Sequence, residues 1–302
     1  MVNRVATFSF TTGMITDNMR LQSRYADINT QISSGLKSQD YKGISRDTQY
    51  LLSIESAADK LEAYNANANI VQSSINTQYE ALGRMEEMAN SMISAISAAL
   101  AGPNANPNVT QSQAQNALNE TASILNLQIA GKYVFSGTDI DTQPVDLTDP
   151  AWVPQTSPSV VNTSYYQGNT TTASVQVSET LNLNYGNLAN NSAFEQLLRA
   201  YNLAYNNPSS PTELGEALDL VKSAIDGIAN IRGIMSVQSN TIEKQIDQNE
   251  QDRDTLLGLR STIKETDIPS ASVMLTEIQT QIEASYTSSV RILNLNLHDY
   301  LR

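Results

Sequence analysis

The chain has no cysteine and a single histidine, His298, among its 302 residues. The absence of cysteine excludes disulfides, zinc–thiolate sites, iron–sulfur clusters and cysteine nucleophiles. A Ser-His-Asp triad would have to use His298, and a lone histidine so placed is more often an interface or solvent residue. The sequence also has no P-loop and no G-x-G-x-x-G motif behind a strand. We therefore predict that the chain is not an enzyme and has no catalytic residue, no cofactor and no metal site.

Basic residues are scarce: 18 lysines and arginines stand against 31 aspartates and glutamates, for a net charge of −13. Phosphate neutralisation needs clustered Lys and Arg, so nucleic acid is not an expected partner. No apolar run approaches the roughly 18 residues that span a bilayer, so membrane insertion is not expected either. The opening MVNRVATFSFTTGMITDNMR has no apolar h-region and no A-x-A-type cleavage site. We expect a cytosolic protein, or one that leaves by a route needing no cleavable signal peptide.

What the sequence does have is helical periodicity, beginning with a narrow apolar stripe between about Ile15 and Leu36. The stripe predicts a first helix, because its members are spaced by 4, 3 and 4 residues. Gly35 fits the position just after a helix end. The stripe consists of Leu21, Tyr25, Ile28 and Ile32.

Seven-residue repeats predict two much longer helices. The first starts after Gly43 with Ser45 or Asp47 as N-cap, and the Pro/Gly stretch 101–108 ends it. A shorter helix over about 109–130 is predicted to fold back on it. The first repeat is Ile54, Leu61, Ala68, Ile75, Leu82, Ala89 and Ile96. The second, after a short helix at about 192–206, is Leu214, Val221, Ile228, Met235, Ile242, Asn249, Leu256 and Ile263.

A last helix is predicted after TDIP (266–269), with Asp267 or Ser270 as its cap. Its apolar residues are spaced by three or four and become dense towards the end. They are Leu275, Ile278, Ile282, Tyr286, Val290, Leu293 and Leu297.

The middle of the chain differs, since Tyr133 to Leu198 contains no Lys or Arg and shows short alternations broken by Gly and Asn. That pattern is typical of β-hairpins. The expected fold class is mainly α: an antiparallel long-helix bundle with coiled-coil-like terminal helices and a small β-rich inserted domain. The predicted segments are a terminal helix with a polar spoke (1–44), two bundle halves (45–131 and 192–266), the acidic, outward-facing insert (132–191) and a second terminal helix (267–302).

The terminal helices carry more apolar surface than a pair of helices can hide, especially from Val290 onward. They could fold back on the bundle. We favour a second arrangement, in which both extend together and assemble with other subunits, because monomers rarely expose large apolar patches. The predicted assembly interface is Leu21, Tyr25, Ile28, Ile32, Leu275, Ile278, Ile282, Val290, Leu293 and Leu297.

Three stretches resemble the flagellin-like family of flagellar proteins. QISSGLKSQDYKGIS (31–45) is similar to that family's N-terminal motif, in which a helix ends at Ser-Ser-Gly before a basic polar spoke. LQIAGKYVFSGTDIDTQPV (127–145) resembles the hook–filament junction proteins of the family. SYTSSVRILNLNLHDYLR (285–302) resembles the shared leucine-rich C-terminal end. The resemblance covers about 1–145 and 192–302, and the insert over 155–191 has no such likeness.

The resemblance implies a structural subunit of the bacterial flagellum that joins hook to filament as a ring, with paired terminal helices forming an inner tube. It implies self-assembly, contacts with a hook-side junction protein and filament flagellin, type III export with a chaperone at the C-terminal helix, and an extracellular location. Lys37, Lys42 and Arg46 are candidate spoke contacts to acidic neighbouring subunits. The alternatives are a flagellin that builds the filament itself and, more remotely, an acidic surface adhesin or an enzyme sited in the insert.

Overall fold

The computed structural model describes the backbone of residues 2–102 and 106–300, and the side chains of residues 12–102 and 106–291. Helices dominate these ranges, so the predicted fold class, mainly α with a small β insert, is confirmed. The helices are α1 (Val2–Ser34), α2 (Thr48–Ala101), α3 (Pro107–Leu125), α4 (Ser192–Asn206), α5 (Pro211–Lys264) and α6 (Ile268–Tyr300). The strands are β1 (Gln128–Ile129), β2 (Lys132–Tyr133), β3 (Ala173–Gln176) and β4 (Asn182–Tyr185).

The chain forms two compact units, each described by itself. The terminal unit comprises the described residues up to Asp59 and those from Asp252 onward, and therefore contains α1, the start of α2, the end of α5, and α6. The central unit is Lys60–Gln251. The five segment boundaries expected from the sequence stay a prediction.

Local signals explain where the helices begin and end. Gly35 has φ +72 and donates its N–H to the Gln31 carbonyl at 2.8 Å, as a residue just beyond a helix end does. Asp267 accepts the Ser270 N–H at 3.3 Å and so caps α6. Asp47 opens α2 by accepting the Leu51 N–H on its carbonyl at 2.8 Å. The expected start of α1 at about residue 15 was too late, because α1 begins at Val2.

The core of the central unit is built on the two seven-residue repeats. Within this unit the repeat positions of α2 and α5 are buried, except for the half-buried Leu61. α4 lies among them with both of its faces covered from Ala193 to Ala204. The single polar repeat residue, Asn249, is 1% exposed and donates to Asn65 Oδ1 at 2.8 Å and to the Val177 carbonyl at 2.9 Å.

Two antiparallel hairpins, the first at the start of the insert and the second within it, are joined by long turn-rich stretches. β1 pairs with β2 in the register Gln128 to Tyr133, around a turn at Ala130 (φ 51) and Gly131 (φ 79). Positive φ at both central residues is the tight turn that suits a two-residue hairpin loop. The expected end of α3 at about residue 130 was too late, because α3 ends at Leu125 and the chain enters β1 at Gln128. β3 pairs with β4 from Ala173–Tyr185 to Gln176–Asn182.

A strap of residues 155–162 holds the insert to α4 and α5 through side chains of these helices that accept backbone N–H groups of the strap. Asn202 accepts from Gln155 at 2.9 Å, Glu216 from Ser159 at 2.9 Å, and Glu195 from Asn162 at 3.0 Å. Arg199 pairs with Glu195 at 3.1 Å and both are buried. Each charge is therefore compensated by the other inside the unit, as burial of a charge requires.

Candidate assembly interface

The terminal helices α1 and α6 pack against each other within one chain. Ile28, Ala271 and Ile278 are buried between them. Most of the predicted interface residues surround this centre, so they form a seam between the two terminal helices of the same molecule. The partly buried members of the seam are Leu21, Tyr25, Ile32, Leu275 and Ile282.

The two helices run antiparallel along this seam. Leu36, just after α1, bridges to Glu265, just before α6, while Gln22 on α1 donates a hydrogen bond to the hydroxyl of Tyr286 on α6. Residue numbers therefore fall along one helix as they rise along the other. Leu293 and Leu297 also belong to the predicted interface, and their side chains lie outside the described residues.

Both helices of the pair also carry exposed apolar side chains outside the seam. Val290, a predicted interface residue, is 56% exposed and so lies outside the seam. Tyr286 is 47% exposed although its hydroxyl accepts from Gln22. The further exposed apolar residues of the pair are Ile15, Met19, Ile268, Val273 and Met274. Together with Tyr286 and Val290 we call these residues the outer face.

Sequence reasoning placed Tyr286 and Val290 in the apolar stripe of α6 but missed the other residues of the outer face, because it followed one stripe per helix. The spacing of four from Ile15 to Met19 is itself a helical signal, and a search for a second stripe on α1 would have found that pair. Val273 and Met274 are adjacent, so neither spacing rule selects both of them.

The breaks after α1 and before α6 meet in a short piece of antiparallel backbone pairing, which we call the joint (residues 35–37 and 264–266). The Lys37 N–H donates to the Lys264 carbonyl at 2.8 Å, and the Thr266 N–H donates to the Gly35 carbonyl at 2.9 Å. These two bonds flank the Leu36–Glu265 bridge. The polar break near residue 35 is thus paired backbone and not a free spacer.

The three candidate spoke residues have different surroundings. Lys37 donates its ammonium hydrogen bond to the Thr262 carbonyl in the last turn of α5, where positive charge is favoured. Lys42 is exposed in the short 3₁₀ helix Tyr41–Ile44, which Asp40 caps by accepting from Gly43. Arg46 is exposed as well. Lys37 is therefore engaged inside its own chain, while contacts to a neighbouring subunit stay a prediction for all three.

A cavity of about 280 Å³ in the central unit lies between α2 and the two hairpins. Its lining is mostly apolar, with Ile70, Ile129 and Val134 among its members, and Tyr133 and Tyr185 line it too. In the part of the chain that the structure describes, no three His, Cys, Asp or Glu side chains gather as metal ligands. Nor does any described helix combine the length and the apolar character needed to cross a membrane.

Comparison with solved structures finds the same fold in flagellar proteins. A protein from Vibrio parahaemolyticus, assigned as a flagellar hook-associated protein, superposes with a TM-score of 0.61 at 14% identity, covering 72% of this chain and 97% of the other. Bacillus cereus FlgL superposes with a TM-score of 0.50 at 12% identity, covering 70% of this chain and 99% of the other. The sequence matches no family model and no curated protein. The resemblance found in the sequence is thus confirmed at the level of the fold.

Proposed function

We propose that this chain is a structural subunit of the bacterial flagellum that joins hook to filament. The observation that carries the proposal is the outer face: two paired terminal helices with exposed apolar side chains on both, in a fold shared with flagellar hook-associated proteins. Exposed apolar side chains on both helices of a pair are the kind of surface that a protein buries on assembly.

The size of the seam supports assembly on physical grounds. Among the residues whose side chains the structure describes, Ile28, Ala271 and Ile278 are buried at its centre, and a fully buried Ile contributes about 1.5–3 kcal/mol. Ordering backbone costs about 1–2 kcal/mol per residue, and isolated helices gain little from propensity alone. The seam therefore leaves the helix pair marginally stable, and covering the outer face with other subunits would stabilise it.

The finer proposal follows the flagellin-like resemblance. Subunits form a ring in which the paired terminal helices line an inner tube, the bundle halves surround them and the insert faces outward. The hook-side junction protein and filament flagellin are the proposed partners, with an export chaperone at the C-terminal helix and an extracellular location reached through type III export. The role is structural and non-enzymatic, and the terminal interface comprises the outer face together with Leu293 and Leu297.

Electron microscopy of the purified chain mixed with hook fragments or filament fragments tests this proposal. A junction subunit is expected to bind the open ends of hook fragments and to form short rings or tubes. A flagellin, the second candidate that shares this family resemblance, would instead extend filament fragments into long filaments. Binding to neither fragment would overturn both assignments. A glycan or a metal bound at the insert would support the adhesin or enzyme alternative instead.

A further inference from the structure

We infer that the joint sets the register of the α1–α6 pair, with Lys37 as its positioning residue. The inference goes beyond the proposed function, because it concerns how one chain pairs its own terminal helices before any subunit meets another. Its evidence is the Leu36–Glu265 bridge, the two backbone hydrogen bonds that flank it and the Lys37 ammonium at the end of α5.

The helix pair needs a register device because no short loop connects its members. In an ordinary helical hairpin, a loop of a few residues fixes which turn of one helix faces which turn of the other. Here α1 ends at Ser34 and α6 begins at Ile268, with the whole central unit between them in the chain. The backbone pairing at the joint brings Gly35 and Thr266 together as a hairpin loop would.

The seam itself discriminates weakly between registers. Its described members are mainly Leu and Ile at helical spacing, so a slide of the helices presents similar side chains to each other. In helix pairs of this kind, a single polar contact specifies the register more strongly than aliphatic packing does. The Gln22–Tyr286 hydrogen bond lies far along the pair and is exposed, whereas the joint lies where the helices meet.

Lys37 secures the joint in two ways at once. Its N–H is the donor of one flanking backbone bond, at 2.8 Å from the Lys264 carbonyl. Its ammonium donates to the Thr262 carbonyl, one of the last carbonyls of α5, which have no partner inside the helix. Lys264 in turn pairs with Glu55 on α2 at 3.1 Å, so the ends of α2, α5 and the joint are connected.

Cross-linking on the isolated chain tests the inference, since the chain contains no cysteine of its own. Gln22→Cys with Tyr286→Cys reports the native register when a short bifunctional maleimide joins the two thiols. Lys37→Pro, which removes both the N–H donor and the ammonium, is expected to lower the cross-linking yield by about two- to tenfold for each of the two hydrogen bonds lost. Lys37→Met retains the N–H donor and should fall between Lys37→Pro and the native chain.

An unchanged yield in Lys37→Pro at unchanged helix content would overturn the inference, because the pair would then find its register without the joint. A second variant covers the case in which Lys37→Pro loses helix content. Leu36→Cys with Glu265→Cys places thiols at a non-hydrogen-bonded antiparallel pair, where Cα atoms lie about 4.5 Å apart and a disulfide fits. Oxidation is expected to slow amide exchange throughout α1 and α6, and Leu36→Cys alone is the control. Equal rates of amide exchange in the oxidised and reduced forms would likewise overturn the inference that the joint sets the register.

Discussion

At the scale of single residues, the most informative side chains are polar groups in apolar surroundings. Asn249 interrupts the apolar repeat of α5, and the structure shows why it is tolerated there. Its amide donates to Asn65 Oδ1 and to the Val177 carbonyl, and its own Oδ1 accepts from Gln245 at 2.9 Å. A buried amide with this many partners costs little to bury and fixes how α2, α5 and the insert fit together.

Asn249→Leu is therefore expected to destabilise the central unit although it completes the apolar repeat. The substitution leaves Asn65 Oδ1 and the Val177 carbonyl buried without a donor, which costs about 1–3 kcal/mol. Urea unfolding followed by circular dichroism measures the loss. The double variant Asn65→Ala with Asn249→Leu removes one orphaned acceptor and should recover part of it, while Ser236→Ala on the exposed side of α5 is the matched control. A more stable Asn249→Leu protein would contradict the assigned role.

Glu216 gives a pH-dependent prediction at the same scale. Burial raises its pKa, but hydrogen bonds from Ser157 and Ser159 and the charge of Arg199 outweigh burial, so the folded-state pKa lies below the ordinary 4.5. A carboxylate whose pKa is lowered by folding stabilises the fold above its unfolded pKa, and this contribution is lost as pH falls through the folded value. The strap should therefore loosen in acid, below about pH 4.5.

Trp152, the only tryptophan, reports this loosening because it lies just before the strap and packs edge-on against Tyr165 at 5.1 Å. Its fluorescence emission is expected to shift to longer wavelength as the strap loosens in acid. In Glu216→Gln this acid step should be absent, and Glu213→Gln, at the start of the same helix, should keep it. The same acid step in both variants would show that Glu216 does not hold the strap.

At the scale of helices and strands, periodicity predicted what depends on local sequence. The seven-residue repeats located α2 and α5, and the stripe from Leu21 to Ile32 located the inner side of α1, because burial of one face imposes those spacings. The sequence did not predict the joint or the strap. The joint depends on backbone groups that are more than 200 residues apart in the chain, and the strap depends on side chains such as Asn202 that accept backbone N–H groups. Neither kind of contact leaves a periodic signal in the sequence.

The distinction between seam and outer face leads to a paired substitution. Ile282→Asp puts a charge into the partly buried seam, so it should weaken the α1–α6 pair of the free chain by about 1–3 kcal/mol and impair assembly as well. Val290→Asp changes an exposed position and should impair assembly alone. Helix content and urea unfolding measure the first effect, and electron microscopy with hook fragments measures the second. Normal assembly of Val290→Asp would exclude this part of the outer face from the interface.

At the scale of the whole molecule, the core of the central unit and the described part of the α1–α6 seam differ in their number of buried apolar side chains. One continuous core joins α2, α3, α4, α5 and the insert in the central unit, and side chains such as Phe135, Phe194 and Tyr201 are completely buried there. The described seam of α1 and α6 has three buried residues at its centre. Local stability follows buried apolar contacts, so the two units should open with different free energies.

Hydrogen exchange of the free chain is accordingly expected to be at least about tenfold faster in α1 and α6 than in α4, a difference of roughly 1.4 kcal/mol or more in opening free energy. Adding hook fragments should slow exchange in α1 and α6 and leave α4 unchanged, because ordering by assembly stabilises the unit that is covered. Faster exchange in α4 than in α1 and α6 would contradict the conclusion that the α1–α6 seam is the less stable part of the molecule. Slow exchange in α1 and α6 before any partner is added would mean that the terminal helices already belong to a stable monomer core, and assembly would then have to begin from the outer face of a rigid pair.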